Sequence, residues 1–356
     1  MKFKILFILL ILPLVLITKE TEKNYFSVKK TWEGIDREYL VFLQSSYFEA
    51  QDRKFPVLIG LHGYSGTASG FEIETTKGLN LMAEEKEIIA IYPQGSYFTS
   101  NANDQESFVS SWNDIVSNAD PREGKPLKCS SERFDYPRPP ECKKFNFCAW
   151  TSCNDDLGFL KSVIEEISLD YRTDDSRRYM IGMSNGGAMV YRFACKNADL
   201  ITAAAIVSSS IPVGTVCEDN VFLPLLILYG EHDRTTPPNG QKSYDGFFYE
   251  SVDETFSSWA NNQDCEDKIY NLESEDLEKK NVSCSFRQNC KNDNEVRICR
   301  VKGGGHFWPG QEESVGFCNT NIQNKMNNNL CKNKNESTNW GNDLIWNFLE
   351  KYKRFE

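Results

Sequence analysis

Residues 178–186 read Arg-Tyr-Met-Ile-Gly-Met-Ser-Asn-Gly. The first four residues predict a short strand, and residues 186–197 predict a helix directly after the motif. Gly182, Ser184 and Gly186 have the G-x-S-x-G spacing, in which a serine occupies the sharp turn between a strand and a helix. The serine then projects above the sheet, where the helix N-terminus favours developing negative charge. We therefore expect Ser184 to be a nucleophile, with an ordinary Gly-Ser turn as the alternative.

Strands and helices alternate through most of the chain. Short apolar runs predict buried strands, and apolar residues at helical spacing predict helices. The predicted strands, besides the one before Ser184, cover residues 24–30, 37–43, 56–61, 88–92, 203–208, 225–229 and 296–301. The further predicted helices cover residues 77–86, 156–171 and 338–352. This alternation predicts an α/β fold with a mainly parallel central sheet and helices on both faces.

A carboxylate follows the predicted strand 225–229 directly. Residues 225–233 read Leu-Leu-Ile-Leu-Tyr-Gly-Glu-His-Asp. A catalytic triad needs an acid that orients its histidine and stabilises the protonated form, and Asp233 lies where a strand end can present it. Glu231 is a weaker alternative acid, and we expect His232 to be structural.

One histidine lies on a glycine-rich loop after the last predicted strand. Residues 303–310 read Gly-Gly-Gly-His-Phe-Trp-Pro-Gly, and the whole chain contains three histidines. On such a loop His306 can accept the serine proton and return it to the leaving group. The chain order Ser184, Asp233, His306 is typical of α/β-hydrolases and differs from the order in other serine triads.

An early strand ends in a possible oxyanion loop. Residues 61–66 read Leu-His-Gly-Tyr-Ser-Gly. Acyl transfer needs two donors aimed at the oxyanion, and we expect the backbone amides of Tyr64 and Asn185 to supply them. His62 is expected to hold the loop without transferring a proton. A simple glycine turn is the alternative.

Composition and charge exclude several classes of partner. The chain has 356 residues, 40% of them hydrophobic and 26% charged, which is typical of a globular protein. Its formal net charge of −11 argues against nucleic acid as a partner, because phosphate binding needs a basic patch. The same charge argues against attraction to anionic lipid.

The N-terminus resembles an export signal. Two lysines within the first four residues precede the nearly unbroken apolar run 5–17, so residues 1–18 are predicted to be a secretory signal peptide. The run is short for a membrane span, although an uncleaved anchor is the alternative. We expect a secreted protein, or one in the lumen of the secretory pathway, without stable membrane contact once the signal is removed. Residues 19–356 are predicted to form a single catalytic domain.

Twelve cysteines behind a signal peptide predict disulfide bonds. Their spacing suggests the pairs Cys148–Cys153, Cys195–Cys217 and Cys318–Cys331, with a buried free thiol as the alternative for Cys195. The chain has no CxxC pair, so no metal site is expected. The N-x-S sequons at Asn281 and Asn335 are candidate glycosylation sites.

Three polar segments that carry or border cysteines interrupt the alternation of strands and helices. They cover about residues 99–153, 264–295 and 311–336. We interpret them as loop insertions pinned by disulfides and not as separate domains. Long structureless loops in a compact fold are usually functional or disordered.

Six sequence blocks together resemble a known esterase family. They are Leu61-His-Gly-Tyr-Ser-Gly, Tyr92-Pro-Gln-Gly, Ser111-Trp-Asn-Asp, Asp155-Asp-Leu-Gly-Phe159, Gly182-Met-Ser-Asn-Gly-Gly-Ala-Met189 and Gly304-Gly-His-Phe-Trp-Pro-Gly310. Over roughly residues 30–350 the chain resembles the α/β-hydrolase family of polyhydroxybutyrate depolymerases, feruloyl esterases and acetylxylan esterases. One departure is Gly-Glu-His-Asp at 230–233, where the family more often has Gly-Thr-Ala-Asp.

The resemblance implies a secreted serine esterase without a cofactor, whose triad is Ser184, Asp233 and His306. It also implies that Trp308 and the segment around Trp112 lie near the substrate pocket. The expected substrates are feruloyl or acetyl esters of polysaccharides, or hydroxyalkanoate oligomers, cleaved through an acyl-enzyme. Two alternatives remain open at this point: a serine peptidase of the same fold, and a catalytically silent binding protein.

Overall fold

A computed structural model describes most of the chain between Asn24 and Arg354. The described residues are 24–75, 78–102, 105–114, 129–137, 139–140, 142, 150–217, 220–310 and 339–354. The expected signal peptide 1–18, the insertion 311–336 and the candidate residues Cys148, Cys318, Cys331 and Asn335 lie outside them.

Twelve strands and eight α-helices are found in the described residues. The strands are β1 Tyr25–Trp32, β2 Ile35–Phe42, β3 Phe55–Leu61, β4 Ile89–Pro93, β5 Ser96–Ala102, β6 Gln105–Ser111, β7 Thr173–Met183, β8 Ala203–Val207, β9 Leu225–Gly230, β10 Tyr270–Asn271, β11 Val282–Arg287 and β12 Val296–Val301. The helices are α1 Ser45–Glu49, α2 Ala68–Glu74, α3 Leu79–Glu85, α4 Asp156–Asp170, α5 Asn185–Lys196, α6 Val252–Asn262, α7 Glu275–Lys279 and α8 Trp340–Leu349.

Ten of these strands form one sheet in the order β1-β2-β4-β3-β7-β8-β9-β12-β11-β10. The six central strands, from β4 to β12, run parallel, and the two strands at either end are antiparallel. Strands β5 and β6 form a separate hairpin. The mainly parallel sheet predicted from the sequence is thus confirmed.

Helices cover both faces of the sheet. Every residue of β3 and of β8 is buried, as parallel strands between two helical layers require. One hydrophobic cluster joins the sheet to α4, α5 and α6, and a second joins the opposite face to α2, α3 and α8. Neighbouring residues of β3 belong to different clusters: Ile59 packs in the first and Leu58 in the second.

The parallel strands bring the predicted functional loops to one edge of the sheet. Strands β3, β7, β9 and β12 all end at this edge, because the carboxyl ends of parallel strands coincide. The residues that follow them are Tyr64, Ser184, Asp233 and His306, respectively. Residues separated by more than 200 positions in the sequence therefore share one site.

The segment 264–295 is not a loop insertion, contrary to expectation. It contains β10, α7 and β11, and β11 pairs with β12 to extend the central sheet. The disulfide Cys284–Cys299 joins these two strands. Its polar composition suggested a loop, but a strand near the sheet edge buries alternate residues, as the burial of Val282 and Cys284 beside the exposed Ser283 illustrates.

Two of the predicted disulfides can be compared with the described residues. Cys195 is bonded to Cys217, as expected, with Cα atoms 5.7 Å apart. The expected pairing of Cys148 with Cys153 is wrong, because Cys153 is bonded to Cys142. Spacing along the chain favoured the shorter loop, whereas the fold brings Cys142 within 5.3 Å of Cys153, measured between Cα atoms. A further disulfide joins Cys265 to Cys290.

The glycosylation of Asn281 and the absence of a membrane-spanning helix concern the described residues. Asn281 lies in the partly exposed turn between α7 and β11, and its glycosylation stays a prediction. Across the part of the chain that the structure describes, no helix has the length and apolar character needed to cross a membrane.

Candidate active site

Ser184 lies at the turn between β7 and α5 with a strained backbone. Its φ of 55° and ψ of −125° are rarely adopted by residues other than glycine. The two flanking glycines allow this turn: a Cβ atom on Gly186 would lie 2.3 Å from the backbone oxygen of His62, and one on Gly182 would lie 2.5 Å from that of Gly186. The strand, the turn and the helix thus form the nucleophile elbow that the G-x-S-x-G spacing predicts.

His306 lies between Ser184 and Asp233. Its Nε2 atom is 2.9 Å from Ser184 Oγ, and its Nδ1 atom is 2.8 Å from Asp233 Oδ2. A neutral imidazole that donates its Nδ1 proton to the carboxylate leaves Nε2 free to accept the serine proton. The structure therefore brings together the three residues proposed from the sequence in the arrangement of a Ser-His-Asp triad.

Asp233 is held firmly in this position. Its side chain is 1% exposed, and Oδ1 accepts hydrogen bonds from the amides of Thr235 and Thr236, both at 2.9 Å. The alternative acid, Glu231, instead accepts a hydrogen bond from the Gly303 amide at 3.1 Å. Glu231 thus fastens the glycine-rich loop, and Asp233 is the acid that faces His306.

The charge of Asp233 alters the pKa of His306. Burial disfavours the charged imidazolium, but the negative charge and hydrogen bond of Asp233 outweigh burial and raise the pKa. Glu74 and Asp245 add smaller contributions in the same direction. An imidazolium formed during a reaction would therefore be stabilised.

The loop after β3 lies against the nucleophile. A Cβ atom on Gly63 would be 3.3 Å from that of Ser184, so the backbone approaches the serine more closely than most side chains allow. Among the described residues, neither the Tyr64 nor the Asn185 amide donates a hydrogen bond. Both amides are available for a ligand oxygen, as an oxyanion hole requires.

The buried side chain of His62 supports the loop after β3. It is fully buried, its Nδ1 lies 2.7 Å from the Gly63 oxygen, and its Nε2 accepts a hydrogen bond from the Gly95 amide at 2.9 Å. Burial lowers the pKa of His62 to about 4, so the ring is neutral near pH 7. These contacts agree with the expected structural role.

The resemblance places Trp112 and Trp308 near a substrate pocket, and that placement stays a prediction. Both side chains are fully buried. Trp112 donates from Nε1 to the His62 oxygen, and its backbone amide donates to Asn185 Oδ1. Buried in this way, the two tryptophans support the site through packing and through the hydrogen bonds of their indole nitrogens.

An aromatic cluster that the sequence analysis missed adjoins the oxyanion loop. It consists of Tyr64, Tyr136, Trp150 and Phe247, with the Tyr136 ring centroid 5.3 to 5.8 Å from the other three. Ala188, one turn after Ser184 on α5, packs against the cluster. Its members come from four separate segments, so no local pattern announces it.

The aromatic cluster is anchored by a buried carboxylate. Tyr136 donates from its hydroxyl to Asp245 Oδ2 at 2.6 Å, and Ser243 donates to the other oxygen. The exposed ring of Phe134 packs edge-on against Tyr136. The cluster is thus a small aromatic core beside Tyr64, in which Trp150 and Phe247 are buried and Tyr64 and Tyr136 are partly buried.

A second missed residue is Glu74, at the end of α2. Burial raises the pKa of its carboxyl, and the nearby His306 opposes that shift. No motif marks this glutamate in the sequence. Groups of three or more His, Cys, Asp or Glu side chains able to hold a metal ion are absent from the described ranges.

The chain is similar in sequence to curated esterases. Feruloyl esterase B of Piromyces equi is 29% identical over 163 residues, which cover 43% of this chain. The putative esterase NocK of Nocardia uniformis subsp. tsuyamanensis is 23% identical over 275 residues, 72% of this chain, and probable feruloyl esterase C of Aspergillus niger is 30% identical over 93 residues, 26% of it. The aligned parts span 29%, 66% and 34% of those proteins, respectively. No family model matches the chain.

The fold is also similar to solved structures. The acetyl xylan esterase from Aspergillus awamori superposes with a TM-score of 0.51 at 13% identity, covering 80% of this chain and 95% of that one. This likeness confirms the α/β-hydrolase fold, and the curated relatives confirm the resemblance to esterases of that fold class.

Proposed function

We propose that this α/β-hydrolase-fold chain, similar to feruloyl and acetyl xylan esterases, is a serine carboxylic-ester hydrolase. The observation that carries the proposal is the continuous hydrogen-bonded chain from Ser184 Oγ through His306 to Asp233, with distances of 2.9 and 2.8 Å. The buried Asp233 and the strained elbow support the same activity, because a triad needs a fixed acid and a projecting nucleophile.

The proposed mechanism has two acyl-transfer steps. Ser184 Oγ attacks the ester carbonyl while His306 Nε2 takes the serine proton, and the Tyr64 and Asn185 amides stabilise the oxyanion. When the tetrahedral intermediate collapses, the imidazolium gives that proton to the departing alcohol oxygen, leaving the acyl group on Ser184. Water, deprotonated by His306, then attacks the acyl-enzyme, and Ser184 leaves with the proton returned.

The substrate class follows from the relatives and from the aromatic cluster. Two of the relatives are named as feruloyl esterases. The partly buried rings of Tyr64 and Tyr136 beside the oxyanion loop suit an aryl acyl group, since aromatic rings pack well edge-on or offset against one another. We therefore propose feruloyl or acetyl esters linked to polysaccharides as substrates, with hydroxyalkanoate oligomers as a further group.

We further propose that the protein is exported. The predicted signal peptide 1–18 would direct it to an oxidising compartment. The four disulfides described above agree with that location, because such bonds persist outside the cytosol.

The test is hydrolysis by the purified protein beside its Ser184→Ala variant. The panel is methyl ferulate, acetylated xylan, hydroxybutyrate oligomers and a peptide amide. We expect at least one ester to be cleaved and the variant to lose about 10⁴- to 10⁶-fold in kcat. Ser258→Ala, at a partly exposed position of α6 where the serine contacts Glu254 of the same helix, serves as the matched control and should retain full activity.

Two other outcomes would indicate a different function. Cleavage of the peptide amide alone would indicate a serine peptidase. Equal rates for the wild type and Ser184→Ala on every compound would show that Ser184 is not a nucleophile and would favour a binding protein.

A further inference from the structure

We infer that Glu74 is a specificity residue that accepts a hydrogen bond from a hydroxyl group on the alcohol part of the substrate. The site would then favour esters of polyhydroxy alcohols, such as sugars, over esters of simple alcohols. This inference rests on the proposed esterase function and specifies which half of the substrate Glu74 contacts.

The end of α2 is fastened to the loop that carries His306. Asn342 Nδ2 donates to the backbone oxygen of Thr75, the residue after Glu74, at 3.1 Å. Asn342 Oδ1 accepts a hydrogen bond from Trp308 Nε1 at 2.8 Å, and Trp308 is two residues after His306. One asparagine side chain therefore links the two segments.

A ring contact strengthens this link. The Phe71 ring of α2 packs edge-on against Trp308, with centroids 5.5 Å apart. Both side chains are fully buried, so the contact belongs to the core. The end of α2, which carries Glu74, is consequently held against the histidine loop by packing as well as by hydrogen bonds.

The Glu74 carboxylate is available to a ligand. It is partly buried, and it forms no hydrogen bond or ion pair within the described part of the chain. Its charge interacts with that of His306 across the site. A carboxylate that has lost water without gaining a donor is unfavourable, so a ligand hydroxyl that donates to it would recover binding free energy.

The position beside His306 indicates which part of the substrate Glu74 meets. The histidine must deliver its proton to the departing alcohol oxygen, so the alcohol lies next to His306 in any productive complex. The acyl carbonyl points toward the amides of Tyr64 and Asn185, and the aromatic cluster adjoins Tyr64. A carboxylate next to His306 therefore faces the alcohol.

The experiment compares two ferulate esters that share the acyl group. Methyl ferulate has no hydroxyl in its alcohol part, whereas the ferulate ester of arabinose has several. We expect Glu74→Ala to lower kcat/KM for the sugar ester about tenfold or more, the usual effect of losing a hydrogen bond to a charged group, and to change methyl ferulate hydrolysis by less than about threefold. Glu74→Gln, which keeps an acceptor but no charge, should give an intermediate loss.

The ratio of the two kcat/KM values isolates the effect on the alcohol. A change in His306 caused by losing the charge of Glu74 would alter both esters alike and cancel in that ratio. Glu85→Ala removes an exposed carboxylate from the neighbouring α3 and serves as the control. Because burial already disfavours the Glu74 charge, the variants should remain folded, which circular dichroism would verify.

The outcomes separate this inference from the proposed function. An unchanged ratio in Glu74→Ala, with methyl ferulate still cleaved and Ser184→Ala inactive, would overturn the role of Glu74 and leave the esterase intact. If the wild type cleaves no ester of the panel, hydroxybutyrate oligomers included, the proposed function fails, and this inference fails with it. If it cleaves those oligomers but neither ferulate ester, the esterase function stands and this inference fails.

Discussion

Arg37 of β2 and Asp156, the first residue of α4, form a buried ion pair with Nη2 and Oδ1 2.7 Å apart. Their side chains are 3% and 0% exposed. The other oxygen of Asp156 accepts hydrogen bonds from the Asn113 amide at 2.7 Å and from Ser152 at 2.8 Å. Asn113 follows Trp112, whose backbone amide donates a hydrogen bond to the side chain of Asn185. The ion pair of Arg37 and Asp156 therefore stabilises the segment that holds Asn185 in place.

Removing Asp156 should destabilise the whole domain. In Asp156→Ala the Arg37 guanidinium stays buried without its counterion, and two donors lose their acceptor. We expect the free energy of unfolding to fall by about 3–5 kcal/mol, as for other broken buried pairs. Urea denaturation monitored by tryptophan fluorescence would measure it.

An exposed ion pair offers the matched control for that experiment. Arg53 contacts Glu87 at the surface, with side chains 46% and 38% exposed. Arg53→Ala should leave stability nearly unchanged, because solvent screens such pairs. Equal losses in the two variants would contradict the role assigned to the buried pair.

Replacing Asp233 should change both the rate and its pH dependence. His306 acts as a base only when neutral, so activity should fall as the pH drops through its pKa, which Asp233 holds above the ordinary value. In Asp233→Asn the pKa should fall, which moves the acidic limb of kcat/KM to lower pH. The rate should decrease about 10⁴-fold, because the amide favours the wrong tautomer of the histidine.

A pH–rate profile of the most active ester tests this prediction. Glu231→Gln is the control, since Glu231 contacts the loop backbone and not His306. An acidic limb that does not move in Asp233→Asn would mean that another group holds His306.

His62 should make the protein less stable in acid. Its pKa is about 4 in the folded state and about 6.5 in the unfolded chain, so between these values the unfolded state binds more protons. Its contribution is fully present above pH 6.5 and should decline by about 3 kcal/mol as the pH falls toward 4. His306, whose pKa is raised, acts in the opposite direction: its contribution is present below about pH 6.5 and is lost as the pH rises through its folded pKa.

Denaturation between pH 4 and 8 would reveal this slope, and His62→Gln identifies its source. The glutamine variant should be less stable at pH 7 but should lose less stability on acidification than the wild type. Parallel stability curves for the two proteins would show that His62 does not cause the acid sensitivity.

The proposed nucleophile and its partners were predictable because local patterns encode them. Gly182 and Gly186 are required by the steric demands of a strand-to-helix turn, which act over a few residues. Asp233 and His306 each follow a predicted strand, and parallel strands end at one edge whatever their separation along the chain. The family-like blocks that surround these residues pointed to the same site.

Other features depend on packing between distant segments, which residue spacing does not encode. The pairing of Cys142 with Cys153, the burial of Trp112 and Trp308, and the aromatic cluster all arise where separate elements meet. Segment 264–295 reads as a loop by its polarity, and its strand exists because β12 offers an edge for β11.

The sequence by itself determined the fold class and the three residues of the proposed triad, since periodicity, small residues at a tight turn and the geometry of parallel strands are local or general constraints. Only the tertiary structure decided what surrounds the triad. The end of α2, which carries Glu74, lies against the histidine loop because Asn342 and the contact of Phe71 with Trp308 join the two segments. Such contacts depend on how side chains from distant parts of the chain pack together. No single stretch of the sequence therefore encodes them.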